Sequence, residues 1–205
     1  LLGAIEKGRA QRPIPAGFGE PGPMDRNART LQRLGAAITS AQDLDDLLEA
    51  LLDPLLPAIG MTRAFVYLCE EPGGKLRPVK ARGLGAIDLA ERGSVHREVV
   101  ETVFREEIPL ISADCRRDPR IGSTLTRSGG GGSLMCAPLK APGRVIGVLC
   151  AEHATPADSI SEPVISLFAT ACSLTALGIA HILVRPHSPA VRSAAAVARS
   201  DANDP

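Results

Sequence analysis

Aromatic side chains are nearly absent from this sequence. Only 2% of the 205 residues are aromatic, with no Trp, one Tyr and four Phe. Proteins that bind single-stranded nucleic acids stack the bases on aromatic side chains, so this composition argues against that function. The sequence is 44% hydrophobic and long enough for one well-filled core, which must therefore be mainly aliphatic.

The sequence also lacks an excess of charge of either sign. Its 23 Lys and Arg residues balance 23 Asp and Glu residues, and the pI is near 7.1. No overall field favours DNA, RNA or an acidic membrane. We therefore expect no direct nucleic-acid partner.

Long apolar runs are missing as well. A membrane-spanning helix needs about 18 or more apolar residues, and the best candidate, residues 164–184, is interrupted by Ser173, Thr175 and His181. The first residues show neither an initiator Met nor a signal-peptide pattern. We expect a cytoplasmic protein without a membrane partner, and the sequence is consistent with a fragment of a longer chain.

The cysteines do not follow a metal-binding pattern. Cys69, Cys115, Cys136, Cys150 and Cys172 form no CxxC motif and no Cys/His ligand spacing. Most lie within apolar segments, which predicts reduced thiols packed as small hydrophobic side chains. The four His residues are scattered, so no metal site is predicted.

What the sequence does contain is a pair of apolar segments at 133–139 and 144–153. The intervening Lys-Ala-Pro-Gly is a turn signal, so the pair predicts a β-hairpin. Alternate residues of a strand point to opposite faces, and both faces are apolar here. The hairpin should therefore lie in the middle of a sheet, with helices on one side and a pocket or second layer on the other.

The remaining patterns complete an α+β fold. Helices are predicted over 25–40, from 42 or 43 onward with a bend or end at Pro54, over 94–106 and from about 158 to 184. Strands are predicted over 63–69, 75–82 (at an edge) and 108–113.

Too few helices connect strands for a doubly wound parallel sheet. We predict an antiparallel sheet of five to six strands, with terminal helices on one face and loops or short helices forming a pocket on the other. The domain spans 25–184, between a Pro/Gly-rich linker at 1–24 and a disordered tail or linker at 185–205.

The first helix carries a narrow apolar stripe of Leu31, Leu34, Ile38 and Ala41. Such a stripe is typical either of a helix packed on its own sheet or of a dimer seam, and the pattern leaves both open. If the seam exists, Leu34→Glu should give monomers.

Two adjoining segments resemble GAF domains, which are small sensory modules of signalling proteins. Ser-Leu-Met-Cys-Ala-Pro-Leu at 133–139 and Gly-Arg-Val-Ile-Gly-Val-Leu-Cys-Ala-Glu at 143–152 are similar to the last two strands of the family, and 111–121 is similar to its preceding strand and loop. The resemblance covers roughly 28–184. It is strongest to GAF modules that follow forkhead-associated domains or precede cyclase or transcription-activator domains. It implies a regulatory module, not an enzyme, that pairs as a homodimer through its terminal helices.

The same resemblance indicates where a ligand would bind. In GAF domains the segment at 114–120, here Asp-Cys-Arg-Arg-Asp-Pro-Arg, borders the ligand pocket. Alternatively, these charges satisfy one another within the loop, with Asp118-Pro119 initiating a turn. The predicted pocket residues are Val99, Val103, Ile111, Asp114, Asp118, Leu125 and Met135.

The ligand itself stays open, and no cofactor is assigned. The cyclic-nucleotide signature of the family, Asn, Lys and Phe-Asp-Glu, is absent, because Phe104 is followed by Arg-Glu-Glu. Neither bilin-attachment motif, Cys-His or Asp-x-Cys-Phe, occurs. The glycine run at 129–132 lacks the Gly-Lys-Ser/Thr ending of a phosphate-binding loop.

Three hypotheses follow. The first is a regulatory domain that senses an unidentified small molecule, or transmits a signal, by shifting the packing of its terminal helices. The second is a ligand-free dimerisation scaffold. The third is a GAF-fold methionine sulfoxide reductase, with Cys115 as nucleophile and Cys136 and Cys150 as neighbours across the hairpin. An iron site at Asp114, Cys115 and Asp118 is a further alternative, as in some transcription activators.

Overall fold

The central feature is one antiparallel sheet. The structure, a computed structural model, describes residues 23–69, 74–83, 97–121 and 132–184. Within these residues the strands lie in the order β2-β1-β5-β4-β3. Their bounds are β1 Arg63–Cys69, β2 Leu76–Arg82, β3 Leu110–Ser112, β4 Ser133–Ala141 and β5 Arg144–His153. The predicted α+β architecture is confirmed.

The hairpin of β4 and β5 occupies the middle of this sheet, as predicted. β5 pairs with both β1 and β4, and β3 covers the other side of β4. Gly143 allows the tight turn because its φ of 79° is in the left-handed region. Seven consecutive residues are buried in each strand. A strand buried in this way on both faces must have a layer packed on each side.

Helices α1 (Pro23–Ser40), α2 (Leu44–Ala58) and α4 (Glu162–Val184) cover one face. Asp43 caps α2 by accepting a hydrogen bond from the backbone N–H of Asp46 at 2.9 Å. The prediction that α2 could end at Pro54 was wrong, because the helix continues through Pro54 and Pro57 to Ala58. Each proline removes one backbone donor, and the burial of the leucines around them offsets this cost.

The apolar stripe of α1 packs within its own chain. Leu34 is fully buried and Ala41 nearly so, while Leu31 and Ile38 are partly buried against the same core. This placement contradicts the use of Leu34 as an exposed seam residue. Leu34→Glu would bury a charge in the core and should unfold the domain rather than produce folded monomers.

The other face of the sheet is covered by α3 (Arg97–Glu106). The buried side chains of α3 are Val99, Val100 and Val103. They share a second, smaller core with side chains from four strands and from the loop after β3: Phe65, Tyr67, Leu110, Cys115, Ile121, Leu134, Cys136, Val148 and Cys150. The sheet therefore separates two cores, one under the three long helices and one under α3.

The long helix α4 supplies much of the first core. Leu167, Phe168, Ala171 and Ile179 are among its buried residues. Residues Glu162–Leu183 are also long and apolar enough to cross a membrane by length and composition, with a mean hydropathy of 1.8. One side of this helix packs on the sheet and fills the core, and 44% of the apolar segment is buried.

The edge strand β2 is tied to α2 by ion pairs. Lys80 Nζ lies 2.7 Å from Asp45 Oδ1 and 3.3 Å from Glu49 Oε2, and Arg82 contacts both Glu49 and Asp53. Charged side chains of this kind also discourage an exposed strand edge from pairing with other chains.

Candidate functional site: the groove beside α3

The loop after β3 is held in a fixed shape by its own aspartates. Asp114 Oδ1 accepts a hydrogen bond from the backbone N–H of Arg116, and Asp118 Oδ1 accepts one from that of Arg120, each at 3.0 Å. Both are the local side-chain-to-backbone bonds that make Asp a turn residue. Cys115 and Ile121 anchor the loop by inserting into the core under α3. The segment 114–121 is therefore a rigid wall next to α3.

One guanidinium is fixed in this wall. Arg120 Nε donates to Asp118 Oδ1 at 2.9 Å and Nη2 donates to Oδ2 at 2.6 Å, so that the pair is bidentate. Arg120 Nη2 also donates to the carbonyl oxygen of Ile111 at 2.8 Å. The hydrogen bonds from Arg120 favour the carboxylate and lower the pKa of Asp118 to about 2. The alternative prediction, that the charged side chains of this loop pair with one another, accounts for the contact between Arg120 and Asp118.

A groove of about 400 Å³ lies between α3 and this wall. Its volume is within the range of small-molecule sites. Val99 and Pro119 provide apolar surface, and the rest of the lining is polar and carries both signs of charge. The lining residues are Glu98, Val99, Glu101, Thr102, Arg105, Pro119 and Arg120.

The structure brings together only some of the predicted pocket residues. Val99 lines the groove, and Val103 lies beneath it in the same core. Asp114 and Asp118 shape the wall through their turns without lining the groove. Leu125 lies outside the described residues.

Ile111 and Met135 are placed on the opposite face of the sheet. They are directly paired across β3 and β4 and pack against the core under α1, α2 and α4. Because the sheet separates them from α3, they cannot line a pocket there, and their inclusion in one pocket with Val99 was wrong.

Sequence reasoning missed the polar lining of the groove. Charged residues such as Glu98, Glu101 and Arg105 are expected on the solvated side of a helix, and they are exposed on α3, but the sequence does not show that the 114–121 loop approaches that side. The positions 98, 101, 102 and 105 follow helical spacing and share one face. This shared polar face was the signal for the site that the sequence offered. It does not show which other segment of the chain lies opposite that face of the helix.

A model of the GAF domain family matches residues 43–179, which is more than half of the chain. The chain belongs to the GAF family. The match includes the central hairpin, and also α3 and the 114–121 loop, which form the groove. No protein with a curated description matches the sequence significantly.

Solved structures share this GAF fold at low identity. The GAF domain of a phosphoenolpyruvate-protein phosphotransferase from Acinetobacter is 23% identical, with a TM-score of 0.60 over 76% of this chain and 93% of that one. The free methionine-R-sulfoxide reductase from Neisseria meningitidis, in complex with its substrate, is 18% identical, with a TM-score of 0.62 over 81% and 95%. The phycocyanobilin-bound GAF domain from a cyanobacterial phytochrome is 18% identical, with a TM-score of 0.62 over 78% and 97%. These similarities establish the fold alone.

The sequence predicted reduced thiols, and this prediction was wrong for two of the five cysteines. Cys136 and Cys150 are directly opposite in β4 and β5, with Cα atoms 4.2 Å apart, and are joined as a disulfide. They are neighbours across the hairpin, as predicted, but are oxidised. Cys69, Cys115 and Cys172 take no part in this disulfide, and the Cys69 thiol donates a hydrogen bond to the carbonyl oxygen of Gly74 at 3.3 Å.

Cys115 lacks the surroundings of a reactive thiol. It is buried, and burial together with the carboxylates of Glu152, Asp118 and Asp114 raises its pKa to about 11. A nucleophilic cysteine needs the opposite shift, toward the thiolate. Within the described ranges, no group of three His, Cys, Asp or Glu residues is placed to hold a metal ion. The iron site at Asp114, Cys115 and Asp118 therefore receives no support.

Proposed function

We propose that this GAF domain is a regulatory module that senses a small molecule in the groove between α3 and the 114–121 loop. The observation that carries the proposal is the groove itself, which has a rigid charged wall and room for a small ligand. The phytochrome relative, with its bound phycocyanobilin, and the reductase, with its substrate, support the idea that this fold accommodates small molecules. The burial of Cys115 favours sensing over a thiol-dependent reductase.

A ligand in the groove would act through the sheet. Val99 and Val103 pack with Cys136 and Cys150 on one face, while the intervening residues of β4 and β5 pack on the helical layer. A ligand that prefers one position of α3 therefore shifts the equilibrium between packings of α1 and α4. These terminal helices would carry the signal to an effector domain.

We place the homodimer contact on α4 instead of α1. Leu177 is 52% exposed on α4, although it lies on a helix whose other side fills the core. Ala169 and Ser173 are exposed on the preceding turns and are small enough for close helix approach. Leu177→Glu should therefore produce monomers in size-exclusion chromatography with light scattering. Ile108→Glu is the matched control, since Ile108 is 64% exposed but lies outside these helices.

Native mass spectrometry tests the sensing proposal. Wild-type protein should carry a discrete additional mass, or gain one after incubation with a low-molecular-weight filtrate of cell extract. Thr102→Trp fills the groove from the half-buried face of α3 and should abolish that mass, whereas Glu106→Trp, on the same helix outside the groove, should retain it. Wild-type protein that gains no mass in either experiment, or binding that survives Thr102→Trp, would overturn the proposal.

A further inference from the structure

We infer that the groove binds a small zwitterion of amino-acid size, with its ammonium group at Glu98 and Glu101 and its carboxylate at Arg105 and Arg120. The inference rests on the proposed function and specifies the chemical class of its ligand. It comes from the distribution of charge along the groove, where carboxylates and guanidiniums both face the same space.

The two signs are separated along α3. Glu98 and Arg105 are seven residues apart, which corresponds to about 10 Å along the helix axis, and Glu101 and Arg105 are about 6 Å apart. A small molecule with one positive and one negative group can therefore contact both ends at once. Val99 lies between them at the base of the groove, and Thr102 adds a hydroxyl.

The side chains on α3 have only weak partners of their own. Arg97 lies 3.8 Å from Glu101, and Arg105 lies 3.6 Å from Glu106, in pairs whose side chains are all more than half exposed. Exposed pairs of this kind contribute little to stability. Exchanging them for contacts with a ligand therefore costs the domain little.

Arg120 is already oriented for binding. Its hydrogen bonds to described residues use Nε and Nη2, toward Asp118 and Ile111, so the Nη1 group is the one left for a ligand carboxylate. Because the side chain is held before binding, little rotamer entropy is lost when the ligand arrives. Arg105 then supplies the second, adjustable cation.

The same arrangement disfavours a purely anionic ligand. A phosphate or dicarboxylate in a groove of about 400 Å³ would lie close to Glu98 and Glu101 as well as to the arginines. The negative charges of such a ligand would be repelled by the two carboxylates, and this repulsion lowers its affinity relative to that of a zwitterion. A zwitterion satisfies both signs.

Isothermal titration calorimetry with single compounds tests this inference. The probes are the 20 L-amino acids, followed by the N-acetyl and amide derivatives of any that bind. Acetylation removes the positive charge and amidation removes the negative one, so each should weaken binding at least tenfold. Glu101→Gln and Arg105→Gln should also weaken the parent amino acid at least tenfold, while Glu106→Gln, outside the groove, should leave it unchanged.

The outcomes separate the inference from the proposed function. If the N-acetyl derivative binds as well as its parent, or if none of the 20 amino acids binds at millimolar concentration, the zwitterion inference is wrong. The proposed function would survive that result if native mass spectrometry finds another ligand that Thr102→Trp excludes. If no ligand of any class depends on the groove, both fail together.

Discussion

Replacing Leu34 by Ala should destabilise the domain without changing its oligomeric state. The Leu34 side chain is 0% exposed in the core formed by α1, α2 and α4. Truncating a fully buried Leu to Ala removes its burial energy and leaves a cavity, which together cost about 2–5 kcal/mol. We expect about 3 kcal/mol here, because the site is closely surrounded by helices that cannot easily collapse into the space.

Urea denaturation at a fixed protein concentration measures this loss. With an m-value of about 2 kcal/mol/M, a decrease of about 3 kcal/mol lowers the midpoint by about 1.5 M. Ile108→Ala is the control, because Ile108 is 64% exposed, lies outside the proposed dimer contact and should change the free energy of unfolding by less than about 0.5 kcal/mol. Light scattering in the absence of urea reports the oligomeric state of both variants.

One result would refute the reasoning. If Leu34→Ala loses less than about 1 kcal/mol but converts a dimer into monomers, Leu34 faces a partner and not the core. The packing of α1 described above would then be incorrect.

Four further predictions concern the sheet and the loop. Under denaturing, non-reducing conditions alkylation should label three of the five cysteines, and labelling of Cys136 or Cys150 without reductant would contradict the disulfide. Removing that bond should cost about 3 kcal/mol, as for other loops of about 15 residues. Asp118→Asn should cost on the order of 1 kcal/mol at pH 7, measured by urea denaturation. Because the pKa of Asp118 is lowered from 3.8 to about 2, this difference is fully present above pH 4 and should vanish as the pH falls through 2; a pH-independent difference would exclude the charge as its cause. Gly147→Ala should reduce the yield of folded protein, since its Cβ would collide with the carbonyl oxygen of Tyr67, and a normal melting temperature would contradict that close approach.

Much of the fold was predictable because its strongest pattern is local. The central hairpin followed from apolar residues on both faces of 133–139 and 144–153, and the edge position of β2 followed from its polar alternation. The end of α2 was not predictable from Pro54 alone, since tertiary burial of the surrounding leucines overrides the local preference of proline. The apolar stripe on α1 was ambiguous, because a helix that packs on the core of its own chain and a helix that pairs with a second copy show the same spacing of apolar residues.

The site was less predictable because it depends on which segments meet. Alternation correctly assigned Cys136 and Met135 to opposite faces, but it did not say which face α3 would cover. Met135 was therefore grouped with Val99 across the sheet. The charges of Glu98 and Arg105 resemble those of any solvated helix, and their role depends on a loop that follows them in sequence. Likewise, the register places Cys136 beside Cys150, but composition does not determine the oxidation state.

The burial of β4 and β5 on both faces has a consequence for how the sequence can vary. In a strand with one solvent-exposed face, every second position accepts polar substitutions, so tolerance to mutation alternates with a period of two residues. Here, seven successive residues in each strand are buried, and none of the seven faces solvent, where a replacement could be accommodated. A mutational scan should therefore show two unbroken blocks of intolerance.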